Sequence, residues 1–350
     1  MTLLRVRDLE VHFPITKGVV RHRTIGAVKA VDGVDLDIPA ETTFGLVGES
    51  GCGKSTLGRA LLRLVEPTAG SVEFDGTDVL GLKEEPMRRF RSRMQMVFQD
   101  PMASLNPRQS VYTTLTQPLR AHGIEMTSRE RDAHVRELLD SVGLPASAAS
   151  RYPHEFSGGQ RQRIGIARAI SVKPELLIAD EPVSALDVSI QAQVINLLED
   201  LKEQLRLTFI FIAHDLAVVR HISQRVGVMY LGGIVEEGPA DDLYAQPLHP
   251  YTIALMSAVP VPNPKTERQR ERILLAGDLP SPSAPPAGCR FHTRCPFRQE
   301  TRCHDERPVL REVLPGRSVA CHYAEAILQG SVPATSNLHA PADEAVAAPA

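Results

Sequence analysis

Gly48-Glu49-Ser50-Gly51-Cys52-Gly53-Lys54-Ser55-Thr56 decides how this chain is read. It fits the spacing G-x-x-x-x-G-K-S/T at every fixed position. The run before it, Thr43-Phe44-Gly45-Leu46-Val47, is mostly apolar and of strand length. The run after it, Leu57-Gly58-Arg59-Ala60-Leu61-Leu62-Arg63-Leu64, has helical apolar spacing. Strand, glycine loop and helix in succession are the context in which such a loop cradles phosphate. Its glycines open backbone conformations closed to other residues and permit close approach to an anion. The loop N–H groups then form a nest, and the helix that follows adds its N-terminal partial positive charge. In such a loop Lys54 reaches β- and γ-phosphates and the Ser55 hydroxyl ligates Mg²⁺.

The chain has 350 residues, enough for one large domain or two smaller ones, and a formal net charge of -3. Nearly balanced acids and bases argue against a broad nucleic-acid surface. No apolar run approaches the roughly 18 residues of a membrane span; the strongest, Phe209-Ile210-Phe211-Ile212-Ala213, is strand-sized. The N-terminus lacks the pattern of a secretion signal. The expectation is a cytosolic chain whose membrane role goes through partners.

Upstream of the loop, Leu3 to Phe13 and Val34 to Ile38 read as strands, with a basic, irregular segment from Lys17 to Lys29 between them. Downstream, Ser71 to Phe74 is a short strand before the turn Asp75-Gly76. Antiparallel strands thus flank the loop on both sides in sequence. Met94 to Phe98 is a strand leading to Gln99. From Gln109 to about Ser150 the pattern is helical, with one helix starting at Ser128 as N-cap and stopping at Gly143. Leu176-Leu177-Ile178-Ala179-Asp180-Glu181-Pro182 is an apolar strand ending in two acids, and Thr208 to Ala213 is another ending in His214-Asp215. In parallel sheets that end is where ligands bind. Val226–Tyr230 and Ile234–Gly238 read as a hairpin. Val259–Thr266 and Pro280–Gly288 read as proline-rich linkers, and the Ala/Pro-rich tail as disordered.

Ser157-Gly158-Gly159-Gln160 ahead of the Asp180-Glu181 strand, with Gln99 before it and His214 after, resembles the ATP-binding subunits of ABC transporters. Phe156 stands where that family often has Leu. Gly48 to Gly53, Phe98-Gln99-Asp100-Pro101 with Ser104 to Arg108, His249-Pro250-Tyr251-Thr252 and the C-terminal cysteines resemble the dipeptide/oligopeptide/nickel importers. Ser104 to Arg108 and His214 to Leu231 are more similar to the second, F-type, ATPase subunit of that pair. The resemblance implies an α/β fold: a P-loop ABC ATPase with a mixed β-sheet core, an antiparallel β subdomain, a helical subdomain and a C-terminal cysteine-cluster extension. It places the ATPase domain at 1–240, its helical part at about 100–170, the extension at 241–328 and a tail at 329–350.

The resemblance implies the following roles, residue by residue. Glu181 polarises the attacking water as a general base, with His214 at the γ-phosphate and Lys54 as the catalytic cation. Ser55, Gln99 and Asp180 hold Mg²⁺, Asp180 through a water. Gly48, Glu49, Ser50, Gly51, Cys52, Gly53, Lys54, Ser55 and Thr56 cradle the ATP phosphates. Ser157, Gly158, Gly159 and Gln160 serve the ATP held by an opposing subunit, and Asp187 crosses that interface. Phe13 is either an adenine platform or a buried strand end.

Cys289, Cys295, Cys303 and Cys321 supply four thiols, at spacings that match no paired zinc pattern. The residues alone admit an iron–sulfur centre, zinc, or free thiols and disulfide; the resemblance implies a 4Fe–4S cluster. Arg290, Arg294 and Arg298 either offset its charge or form a solvated face. The resemblance further implies a second ATPase subunit, self or paralogue, in a nucleotide-sandwich dimer, two membrane permease subunits and an extracytoplasmic solute-binding protein. It places the chain on the cytoplasmic face of the membrane and implies ATP hydrolysis energising peptide import. Nickel, glutathione or another solute, and an exporter ATPase, stand as alternatives.

Overall fold

The computed structural model describes residues 1–17, 23–259, 273, 275, 277–299 and 301–332. The first two strands, β1 (Thr2–Lys17) and β2 (Arg23–Pro39), form one long antiparallel hairpin, paired from Thr2 opposite Pro39 to Lys17 opposite Arg23 with several register shifts between. The basic stretch expected to be irregular is therefore strand in its described part, Arg23–Lys29. Its β-branched Thr24, Ile25 and Val28 suit a strand, and pairing overrides its charge.

The run entering the phosphate loop is β3 (Thr43–Val47). After the loop helix, Lys54–Leu61, β4 (Ala69–Phe74) and β5 (Thr77–Asp78) complete an antiparallel sheet of order β2-β1-β4-β5. The second sheet is built from β3, β6 (Met94–Val97), β7 (Leu176–Asp180), β8 (Thr208–Ile212), β9 (Arg225–Tyr230), β10 (Gly233–Pro239), β11 (Arg311–Leu314) and β12 (Arg317–Val319). Its order is β11-β12-β10-β9-β3-β8-β7-β6, with β9, β3, β8, β7 and β6 parallel and the other edge antiparallel.

All residues of β3, β7 and β8 are buried, which is why they read as unbroken apolar runs. Their side chains alternate between two cores. Ile210 and Ile212 join Val6, Val72 and Leu57 between the two sheets, while Phe209 and Phe211 join Ile166, Val194 and Leu198 on the helical face.

The helical segment contains Val111–Ala121, Ser128–Ser141 and, beyond a 3₁₀ turn at Ala146–Ser150, Gly158–Ile170. Thr127, not Ser128, caps the second helix. Its hydroxyl accepts the Glu130 N–H while the Glu130 carboxylate accepts the Thr127 N–H, a reciprocal box that only this three-residue spacing allows.

At the antiparallel edge β12 pairs with β10, so C-terminal residues lengthen the sheet that carries the phosphate loop. Glu236 on β10 is wholly buried, and its carboxylate accepts the N–H groups of Leu248 (2.9 Å) and His249 (2.8 Å) and faces Arg317 at 3.4 Å. This fixes the start of the helix Pro250–Ser257, capped by His249. The linker reading falls outside the described residues at 260–266, as does the tail from 333 to 350. Glu236→Ala is expected to lower stability by about 3 kcal/mol, since it leaves Arg317 buried and uncompensated; denaturant unfolding checks this.

Candidate functional site

The phosphate loop is shaped by three glycines with left-handed φ: Gly48 at 151°, Gly51 at 80° and Gly53 at 111°. Two of them also lie hard against other strands. A Cβ on Gly48 would stand 2.2 Å from the Met229 carbonyl oxygen, and one on Gly53 2.0 Å from that of Ala30. No side chain would fit at either. Gly53 is the N-cap of the helix Lys54–Leu61 and no side chain caps it. The first N–H groups of that helix are left to serve an anion. Lys54 is buried, and its ammonium donates to the carbonyls of Gly48 (2.8 Å) and Glu49 (3.0 Å). It is thus held within the loop it would neutralise.

The parallel register sets the rest. Leu46 stands beside Ile212, Asp180 beside the same Ile212, and Val97 beside Ala179. The C-terminal ends of β6, β7, β8 and β3 therefore share one edge, bringing Gln99, Asp180, Glu181 and His214 to the phosphate loop. Asp180 is wholly buried; its Oδ1 accepts the Ser55 hydroxyl at 2.6 Å, and Oδ2 has no hydrogen-bond partner. Burial pushes its pKa up, against the Ser55 bond and the Arg59 guanidinium 3.7 Å away. A serine hydroxyl beside an unsatisfied carboxylate oxygen is a hard-oxygen donor pair, and it fits Mg²⁺.

Glu181 has φ 46°, a left-handed conformation that costs on the order of 1–2 kcal/mol for an ordinary residue. Its N–H still donates to Ile212 O at 2.9 Å, so the chain turns out of the strand while anchored to β8. The carboxylate Oε2 accepts Gln99 Nε2 at 2.8 Å and lies 3.5 Å from His214 Nδ1. Three neighbouring strand ends thus converge on one carboxylate that can orient a water and take its proton.

Ser157, Gly158, Gly159 and Gln160 begin the helix Gly158–Ile170. The Ser157 hydroxyl accepts the Gln160 N–H and the Gln160 side chain accepts the Ser157 N–H, while both residues stay exposed. Gly159 is required by packing, because a Cβ there would meet Ile190 Cγ2 at 2.6 Å. Asp187 is exposed at the N-cap of the helix Val188–Leu205 and makes no side-chain cap bond. Phe13 pairs with Val28 on the first hairpin and is 42% exposed, so it is not a buried strand end.

The four C-terminal cysteines are free and share one neighbourhood. The Cys289 N–H donates to Cys303 O at 2.9 Å. Burial and neighbouring thiols push Cys289 up to about 11 and Cys321 up to about 12, and Cys295 is raised as well. Among the described residues no three of these sulfurs lie within 4.8 Å of one another, so they are not drawn together around a single ion. The neighbouring arginines do not serve these thiols. Arg290 pairs with Asp32, and Arg294 grips Glu49 through two bonds of 2.8 and 3.1 Å; only Arg298 is on the exposed surface. Sequence reading missed Arg59 beside Asp180, and the Tyr251 hydroxyl that accepts the Glu49 N–H at 2.8 Å. The helical interval from Ser55 to Arg59 was the one available signal for Arg59.

Residues 31–184 match the family described as ABC transporter, and residues 235–303 that described as oligopeptide/dipeptide transporter, C-terminal region. The chain is 56% identical over 322 residues to the oligopeptide transport ATP-binding protein AppF of Bacillus subtilis, covering 92% of this chain and 97% of AppF. It is 54% identical over 309 residues to the oligopeptide transport ATP-binding protein OppF of Salmonella typhimurium, covering 88% and 92% of the two chains. Among solved structures it is similar to the dimeric ATP-binding cassette MJ0796 in a post-hydrolysis state bound to ADP and Pi. That likeness has a TM-score of 0.60 and 27% identity over 68% of this chain and 99% of the other. The cbiO1 protein of Clostridium perfringens, part of the transporter complex cbiONQ, gives 0.60 and 25% over 70% and 91%.

The raised pKa of Asp180 means that the folded chain holds its proton more tightly than the unfolded chain. Ionising it therefore costs stability as pH rises through the carboxylate range. Asp180→Asn is expected to raise the melting temperature of nucleotide-free protein at neutral pH while removing the Mg²⁺ dependence of ATP binding. Thermal melts and ATP titration with and without Mg²⁺ check both.

Proposed function

The chain belongs to the ABC transporter family as an ATP-binding subunit, and on that premise we propose that it hydrolyses ATP to energise import of di- and oligopeptides through partner permeases. The observation that carries this is the convergence of Lys54, Ser55, Gln99, Asp180, Glu181 and His214 at four adjacent strand ends. The relatives named for oligopeptide transport, and the match of residues 235–303, support the substrate class and the F-type subunit.

In this reading the loop N–H groups and Lys54 bind the phosphates. Ser55, Gln99 and Asp180 hold Mg²⁺, which when bound would neutralise phosphate charge. Glu181 orients the attacking water and accepts its proton, and His214 fixes it toward the γ-phosphate. Phe13 stacks on adenine, its exposure leaving the ring available. Ser157, Gly158, Gly159, Gln160 and Asp187 face the ATP of a second ATPase subunit; their exposure and the dimeric state of the MJ0796 cassette support this. No helix among the described residues is long and apolar enough to cross a membrane. In this reading the pore is formed by two permease subunits fed by an extracytoplasmic binding protein, and the relatives named for oligopeptide transport support it. The chain then sits on the cytoplasmic face, its ATPase domain spanning 1–240, its helical part about 100–170, its extension 241–328 and its tail 329–350.

The test is the whole transporter in proteoliposomes. Short peptides are expected to stimulate ATP hydrolysis, and Glu181→Gln to cut turnover by at least about 100-fold while leaving ATP affinity intact. Stimulation by nickel or glutathione, with indifference to peptides, would overturn the peptide reading.

Cys289, Cys295, Cys303 and Cys321 are proposed to hold a 4Fe–4S cluster. Its support is four free thiols in one neighbourhood. Protein purified without oxygen should carry about four irons per chain, lost when the cysteines are changed to serine. Zinc or no metal refutes the assignment.

A further inference from the structure

The phosphate loop touches the C-terminal region directly at one end and through the turn at Gly232 at the other. At Glu49 there are two contacts, both from beyond residue 250. The backbone N–H donates to the Tyr251 hydroxyl at 2.8 Å, and the carboxylate receives the parallel fork of Arg294 at 2.8 and 3.1 Å. At the other end, the Cys52 carbonyl accepts the N–H of Gly232 at 2.8 Å. The turn holding Gly232 is pinned in its own right, because Arg290 donates to Leu231 O. Arg290 and Arg294 lie on one short segment. Phe291 between them is 1% exposed and packs its ring against Tyr230 and Tyr251, with centroids 5.2 and 5.5 Å away.

This is not an ordinary surface ion pair. The Arg294 side chain is 8% exposed and that of Glu49 28%. A guanidinium so covered needs its carboxylate, and bidentate geometry fixes where that carboxylate stands. Glu49 matters to the site in another way: its carbonyl, with that of Gly48, is where the Lys54 ammonium rests. A shift of the Glu49 peptide would move the mouth of the anion nest and the seat of its lysine together.

We propose that Arg294 is a positioning residue for ATP binding: through Glu49, and alongside Tyr251, it holds the mouth of the phosphate loop in the shape that receives the nucleotide. The proposal rests on ATP binding at Gly48–Thr56. It gives the segment 289–294 a task that does not depend on what the cysteines hold.

The test uses the full-length chain in its assembled transporter, with Kd for Mg-ATP and kcat and KM measured on each variant. Arg294→Ala is expected to raise Kd and KM about tenfold while kcat changes less than twofold. Arg294→Lys, which keeps the charge but loses the fork, should recover part of the loss. Glu49→Gln, at a partly exposed position that tolerates the change, should reproduce the weakened binding. The double variant Glu49→Gln/Arg294→Ala should be no worse than the poorer single. Single variants with wild-type KM, additive losses in the double, or a fall in kcat with KM unmoved would each overturn the proposal. Wild-type protein that binds no ATP would overturn the functional reading as well, which separates the two failures.

Discussion

The backbone of the phosphate loop lies so close to two foreign carbonyls that only glycine fits, and the shape of the site depends on that closeness. Gly53 faces Ala30 of β2, in the antiparallel sheet, and Gly48 faces Met229 of β9, in the parallel one. The loop is therefore shaped where the two sheets meet. Its local sequence permits the left-handed turns, but tertiary contact selects them. Apolar side chains between the sheets, such as Val6, Val72, Leu57 and Ile210, hold the two sheets together where Ala30 and Met229 meet these nine residues.

The chemistry is concentrated where the fold carries its local costs. Asp180 is a wholly buried carboxylate with one oxygen unpartnered, and Glu181 is bent into a left-handed conformation. Neither would survive in isolation. Both are over-determined by the ladder: β7 is bonded on one side to β6 and on the other to β8, and the Glu181 N–H continues to Ile212 after the strand has ended. A slip of one residue in β7 would exchange the faces of Asp180 and Glu181 and take the carboxylate away from Ser55.

What could be read from sequence divides along the same physical line. The loop and the runs of β3, β7 and β8 are local patterns with full burial, and they are legible residue by residue. The hairpin of β9 and β10 is legible because Leu231-Gly232-Gly233 is turn chemistry between two strands. The full length of β1 and β2 was hidden because repeated register shifts break the alternation and because the paired residues are often charged. β11 and β12 are short, and they gain their place only by pairing with β10. The contact of Arg294 with Glu49 spans most of the chain, and nothing in the neighbourhood of either residue announces it. The cysteines lie between these cases: proximity in sequence groups them, and the structure keeps them in shared surroundings without drawing them around a single ion.

The exposed half of the site is tied to the buried half by a short, stiff path. Ser157 and Asp187 are each at the start of a helix, and those two starts lie against one another, since Gly159 meets Ile190 and Gly158 meets Leu186. Leu186 lies on the turn that begins at Glu181. In that turn the Ser184 hydroxyl donates to Glu181 O at 3.1 Å and the Leu186 N–H to Val183 O at 3.1 Å. Any group pressing on the exposed motif of Ser157 therefore bears, through two close contacts and one bonded turn, on Glu181. Close-packed elements of this kind shift between discrete arrangements and do not deform smoothly. The exposed motif at Ser157 and the Glu181 carboxylate are thus joined by one continuous packed path, the route by which, in the proposed function, a second chain seated on that motif acts on hydrolysis.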